Sequence, residues 1–235
     1  MPTLIGLVAL LLHPAADAAP PAPLSADLDG DGKAEEIRAQ PGKITAGSAV
    51  FECGYDGFTC SVSVVDVHPG DKRKELVICG EAPRLDRACD LYTLRGGALV
   101  VVKVTGQKDI TELGALKLSA PGNGHLMVES WERLYTRLEK YAVDADLTSM
   151  RRVPQPFQRV ERAVPCEGQV TLSLEPTGGA AVATTKAGSK LTILLESEPH
   201  RERFLVQSAT GLIGWVGIDG LMAACEEVRL TYSAG

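Results

Sequence analysis

Residues 27–37 read Asp-Leu-Asp-Gly-Asp-Gly-Lys-Ala-Glu-Glu-Ile, placing Asp27, Asp29 and Asp31 at alternate positions of a turn that Gly32 makes sharp. A hard divalent cation takes roughly six to eight oxygens, and this spacing aims three carboxylates at one point, with the Lys33 carbonyl and the Glu35 carboxylate next in line. Asp and Gly also suit a turn for backbone reasons alone, because both tolerate left-handed conformations. Three carboxylates this close repel one another unless a cation sits between them, which favours calcium and a structural use of it. The other chemistry-bearing residues are six cysteines: Cys53, Cys60, Cys79, Cys89, Cys166 and Cys225. Six allow about fifteen pairings. The economical set is Cys53–Cys60, Cys79–Cys89 and Cys166–Cys225, the last closing a small domain on itself. Zinc is the rival for these thiols, but the chain has no Cys-x-x-Cys and no His beside a close pair.

Catalytic constellations are thin. Beyond the first thirty residues the histidines are His68, His125 and His200, and no Gly-x-Ser-x-Gly, His-Glu-x-x-His or Gly-rich phosphate loop occurs. Cys60 or Cys79 could be drawn against His68 as a thiol pair, yet an exported chain with an even cysteine count spends such thiols in disulfides. Glu35-Glu36 and Glu226-Glu227 would alternate faces in strands, so neither pair converges on one bond. A non-enzymatic protein is expected. An envelope hydrolase or an enzyme inhibitor, with a site assembled from residues distant in sequence, is the alternative.

The elements that must carry these residues read as short strands. The chain has 235 residues with 45% hydrophobic and 5% aromatic residues, 24 Gly, 14 Pro and a net charge of −6, which suits strands joined by turns better than a helical bundle. A pI near 5.3 and basic runs no longer than Lys72-Arg73-Lys74 exclude a general nucleic-acid binder. From Leu4 to Leu12 the chain is apolar, and Ala16-x-Ala18 follows as a cleavage site, so residues 1–18 read as a signal peptide although no Lys or Arg precedes them. That run is too short to span a bilayer. Residues 19–25 read as a linker, 26–153 as a β-rich domain, 154–165 as a second Pro-rich linker and 166–235 as a small domain. Strands are expected around 61–65, 75–78, 90–94, 98–102, 125–129 and 140–144, with a Gly96-Gly97 hairpin turn. Trp131, Leu134 and Leu138 have helical spacing and leave a short helix open between the last two. From Gln169 a strand-turn-strand pattern runs to Ile213-Gly214-Trp215-Val216 and a closing Ile218-Asp219-Gly220-Leu221, and five short strands at this spacing suggest a small barrel.

The acidic turn resembles the loop of FG-GAP/VCBS repeats, the blade units of integrin-type β-propellers, in which an aspartate-rich turn between strands binds calcium; Arg38 in place of a twelfth-position acid argues against an EF-hand. Val64 to Ile78 repeats the outline when Asp66 is set on Asp27 and Glu75 on Glu36, with the metal acids lost at His68 and Gly70. Ala120 to Val128 keeps only the turn and strand. The resemblance implies a partial-propeller-like domain with Asp27, Asp29, Asp31, Lys33 and Glu35 as calcium ligands. Residues 169–222 resemble the bacterial Src-homology-3-like domain, through the Gly188 turn, Leu191-Thr192-Ile193, Phe204-Leu205-Val206, Gly211-x-x-Gly214-Trp215-Val216 and Leu221. That likeness implies a small β-barrel with Trp215 packed in it and close backbone approach at Gly214. Phe204 and Trp215 are then the candidates for a ligand groove. Together the two resemblances imply a periplasmic or secreted binding or scaffold protein of the bacterial cell envelope, with peptidoglycan or an envelope protein as partner and no membrane-spanning segment.

Overall fold

Short runs of alternating apolar and polar residues build nineteen strands and two short helices among the described residues. The computed structural model describes residues 23–53, 59–81, 88–106 and 112–233. The expected signal peptide over residues 1–18 lies outside them. The protein is mainly β, as expected, and no helix among the described residues is long and apolar enough to cross a membrane.

The first half folds into three sheets. Strands β1 (Leu24–Ala26), β2 (Glu35–Gln40), β3 (Lys43–Ala46) and β4 (Ala49–Glu52) form an antiparallel meander, as do β5 (Thr59–Val65), β6 (Glu75–Glu81), β7 (Ala88–Arg95) and β8 (Ala98–Val101). Residues 24 and 25, read as linker, therefore belong to a strand, with Leu24 opposite Ile37. The third sheet runs β10 (Lys117–Ser119), β11 (His125–Glu132), β12 (Tyr135–Val143), β13 (Ser149–Val153) and then β9 (Lys103–Thr105), which returns parallel to β13.

Strand β6 of the middle sheet is buried on both faces, and this explains the unbroken apolar run Leu76-Val77-Ile78-Cys79. Leu76 and Ile78 pack with Leu28 of the turn after β1 and with Ile37 and Ile44 of the first sheet. Val77 and Cys79 point the other way and pack with Leu126, Val128 and Tyr141 of the third. A period of two thus divides one strand between two cores. Gly96 and Gly97 join β7 to β8 at φ of 56° and 80°, the doubly positive pair that a two-residue hairpin turn requires.

Between Ser130 and Glu139 there is no helix. Strands β11 and β12 run on to meet in one hairpin, with Glu132 opposite Tyr135. Trp131 and Leu138 are 62% and 46% exposed while Leu134 is 1% exposed, so the three share no buried face. The hairpin tip instead inserts Leu134 and Tyr135 into the core of the second half.

That second half is a six-stranded sheet, ordered β14 (Phe157–Cys166), β17 (Ser189–Ser197), β18 (Arg203–Ser208), β19 (Ile213–Gly217), β15 (Thr171–Glu175) and β16 (Gly178–Thr184). Most of the stretch read as a linker, residues 154–165, is strand β14. The sheet is open, not the closed barrel expected: β14 and β16 are its edges, and β15 meets β19 through the single Ser173–Trp215 pairing. Helices α1 (Ile218–Ala224) and α2 (Glu226–Ser233) cover its core, burying Leu221, Cys225 and Val228.

All six cysteines are paired as expected. Cys53–Cys60 ties the first sheet to the second, and Cys79–Cys89 links directly opposed residues of β6 and β7. Cys166–Cys225 closes a separation of 59 residues and ties the helices to β14. In the chain-entropy treatment a loop of that size stabilises by about 4 kcal/mol, and the two short loops by about 2–3 kcal/mol each. Replacing Cys166 and Cys225 by Ser should therefore lower the unfolding free energy of the C-terminal half by about 4 kcal/mol in urea titration, more than the loss on replacing Cys53 and Cys60.

Candidate functional site

The acidic turn follows β1, and its aspartates are oriented by the backbone. Asp27 accepts the Gly30 N–H at 2.7 Å on one oxygen and the Gly32 N–H at 2.9 Å on the other. Asp29 accepts the Asp31 N–H at 3.0 Å. Gly30 and Gly32 stand at φ of 84° and 86°, which side-chain-bearing residues rarely adopt. From the start of β2, Glu35 reaches back and accepts the Leu28 N–H at 2.7 Å. One carboxylate oxygen from each of Asp27, Asp29 and Glu35 then lies within 4.8 Å of the others.

Of the four carboxylates expected as ligands, Asp27, Asp29 and Glu35 are brought together. Asp31 turns to Lys33, whose backbone N–H donates at 2.7 Å and whose ammonium stands 3.3 Å away. The N–H and then the ammonium hold the Asp31 carboxyl below its ordinary value. Lys33 thus neutralises that arm of the turn from within. The remaining donor set fits a hard cation, since three carboxylates converge and the loop's N–H groups have already fixed their orientation.

The second turn repeats this plan with one residue more. Glu75 accepts the Val67 N–H at 2.9 Å, as Glu35 accepts that of Leu28, across eight residues where the first turn uses seven. Glu75 therefore corresponds to Glu35, not to Glu36 as the ungapped sequence register placed it. The ammonium of Lys74 lies on Asp66, and Arg73 lies 3.2 Å from Asp71. Consecutive turns are also bonded in series. The Lys74 N–H, just before β6, donates to the Asp27 carbonyl at 2.8 Å, and the Gly124 N–H, just before β11, donates to the Val67 carbonyl at 2.8 Å. Gly124 permits this approach: a Cβ there would stand 3.0 Å from the His68 ring.

Glu75 is fully buried. Burial pushes its carboxyl up to about 7, helped by the charges of Asp71 and Asp66 and opposed by the Val67 N–H and Arg73.

At the junction of the two halves Arg137, Glu139, Arg152 and Glu198 form a closed ion network. Arg137 is 5% exposed at its side chain; it stands 3.1 Å from Glu139 and also pairs with Glu198. Arg152 bridges the same two carboxylates at 2.5 and 2.6 Å. Partial burial pushes Glu198 up, but hydrogen bonds from Arg152, Gln158 and Arg137 outweigh it and hold the carboxyl below its ordinary value. Beside it the Tyr135 hydroxyl donates to Glu196, and burial followed by that carboxylate raises the phenol far above its usual range. Arg137, Glu139, Arg152 and Glu198 line a cleft of about 570 Å³ together with Arg201 and Pro154. With each carboxylate of the network held by guanidinium groups, it works as a clamp between the halves.

The groove expected at Phe204 and Trp215 is divided. Phe204 is 0% exposed, because alternation along β18 turns it inward with Val206, so it cannot meet a ligand. Trp215 turns the other way. Its neighbours Gly214 and Val216 enter the core, whereas the indole lies half-buried on the outer face, its centroid 6.2 Å from that of Phe157, which is 45% exposed. Gly214 does admit the expected close packing: a Cβ there would stand 2.7 Å from Leu172 Cβ and 3.1 Å from the Ser173 carbonyl. Leu205, opposite Trp215, and Leu195, opposite Leu205, extend the outer platform across the sheet. Sequence reasoning missed Phe157 because it fell in the presumed linker.

Glu35 and Glu36 diverge as expected, Glu36 pairing outward with Arg38. Glu226 and Glu227 lie in helix α2, where Glu226 meets Arg229 and Glu227 meets Arg162. The cysteines drawn against His68 are both in disulfides.

Comparison with protein-family models, curated proteins and solved structures finds no match for this chain.

Two measurements follow from the turns. In calorimetric calcium titration Asp29→Asn should abolish the heat, whereas Asp31→Asn should leave it within about twofold of the parent affinity, because Asp31 is committed to Lys33. A folded pKa near 7 against an ordinary 4.5 means that Glu75 favours the folded state fully below 4.5 and loses that contribution as pH rises through 7. In chelator-treated protein the parent should thus lose on the order of 3 kcal/mol of unfolding free energy between about pH 4.5 and about pH 8 through this group. Glu75→Gln, a mimic of the neutral acid, should flatten the profile; an unchanged slope would count against the assignment.

Proposed function

We propose that the protein is an exported, non-enzymatic binding or scaffold protein of the bacterial cell envelope, working in the periplasm or outside the cell. Its N-terminal half is a partial array of FG-GAP/VCBS-like blades stabilised by calcium at Asp27, Asp29 and Glu35. Its C-terminal half is a Src-homology-3-like module that docks peptidoglycan or an envelope protein.

The observation that carries the docking assignment is the orientation of Trp215. An indole on the outer face of a sheet, beside a partly exposed phenyl ring, offers an amphipathic surface on which a sugar ring or an extended peptide can lie. The series of turn-to-turn bonds supports the repeat reading, since in each case the N–H just before a strand of the later sheet donates to a carbonyl of the preceding turn. Three disulfides suggest an oxidising, extracytoplasmic compartment, as the export reading requires.

The reading is tested by retention on purified cell-wall sacculi. The parent should be retained and Trp215→Ala should lose most of that retention, while its melting temperature stays within a few degrees because the indole is outside the core. Equal retention of parent and variant would remove the docking role from this face. Absence of retention for the parent would redirect the search to a protein partner.

A further inference from the structure

The two bonds from a glutamate to a turn amide, Glu35 to Leu28 and Glu75 to Val67, align the first two turns residue by residue. Asp66 then stands where Asp27 does, His68 where Asp29 does, and Glu75 where Glu35 does. These are the positions that converge within 4.8 Å in the first turn. In the second turn each counterpart holds one atom that is shut off from solvent and has no hydrogen-bond partner: Asp66 Oδ1, His68 Nε2 and Glu75 Oε1. Glu75 is buried whole, and its Oε2 is already taken by the Val67 N–H, so Oε1 is the oxygen left over. Asp66 is arranged alike, with Oδ2 held by Lys74 and Oδ1 left over. Sealing polar atoms away without partners is costly, and native interiors keep few of them. Three on one turn, all electron-pair donors of metal-ligating types, share one remedy.

We propose that Asp66, His68 and Glu75 form a site for a divalent first-row transition-metal ion such as zinc, distinct from the calcium turn. An imidazole nitrogen with two carboxylate oxygens suits such ions, whereas calcium prefers the all-oxygen set of the first turn. Lys74 and the Val67 N–H act as the outer contacts that orient the two carboxylates. The three residues do not gather their donor atoms within 4.8 Å as the first turn does, so binding requires these side chains to move together. The replacement of an aspartate by His68, which made this copy read as metal-free, thereby changes the metal rather than removing it.

The test is zinc titration of the untagged, chelator-stripped full chain in excess calcium, followed by calorimetry and by 15N NMR of the histidine rings. The parent should bind one zinc ion, Asp27→Asn/Asp29→Asn should bind it equally, and His68→Asn should bind it roughly tenfold or more weakly. In the parent, the His68 Nε2 resonance should move on zinc addition, a readout that needs no variant to fold. Absence of binding by the parent, affinity unchanged in His68→Asn, or a ring response confined to other histidines would overturn the proposal.

Discussion

A carboxylate that accepts the amide of the residue after an aspartate shapes both polar turns, and much else depends on it. Glu35 holds Leu28 and Glu75 holds Val67. Leu28 and Val67 are themselves buried, at 1% and 0% exposure, in the first and second core clusters. Each bond therefore fixes a turn to a core on one side and turns its flanking polar residues toward one another on the other. Without a side-chain acceptor at that place, the amide would be buried and unpaired in the middle of the domain.

From these turns the constraint spreads outward. Each turn bonds to the next, and strand β6 of the middle sheet is shared between a core with the first sheet and a core with the third. The third sheet then extends its long hairpin into the C-terminal core, where Leu134 and Tyr135 are enclosed and Arg137 and Arg152 clamp Glu198. The two halves have separate cores but share this buried tip. Trp215 is thereby left on the one face of the six-stranded sheet that the helices and the hairpin do not cover.

How much of this was legible in the sequence depended on whether local chemistry or tertiary packing set the outcome. Period-two alternation and paired glycines gave the strands and the Gly96-Gly97 turn, because those signals act within a few residues. Cysteine spacing favoured the right pairing because close cysteines face each other across adjacent segments. Helices α1 and α2 were not seen, since Ile218 to Ser233 is short and its buried positions have meaning only against the sheet. Phe157 was hidden by its prolines, which flank an edge strand rather than a linker. Trp215 was placed in the core because its exposure depends on which face of β19 is covered, and Gly214 takes the inward position. The acidic turn was legible as a cluster, but not the loss of Asp31 to Lys33, since both arrangements satisfy the same spacing. The one-residue insertion in the second turn was invisible until the Glu75 bond supplied a register.

The account rests on the claim that paired turns, built on one plan, hold cations of different kinds. Anomalous diffraction from crystals grown with calcium and then soaked in zinc tests it most directly. Calcium should lie among Asp27, Asp29 and Glu35, and a zinc signal should lie between His68 Nε2 and the free oxygens of Asp66 and Glu75. Maps with neither ion, His68 unmoved and the first-turn carboxylates splayed into solvent would contradict it.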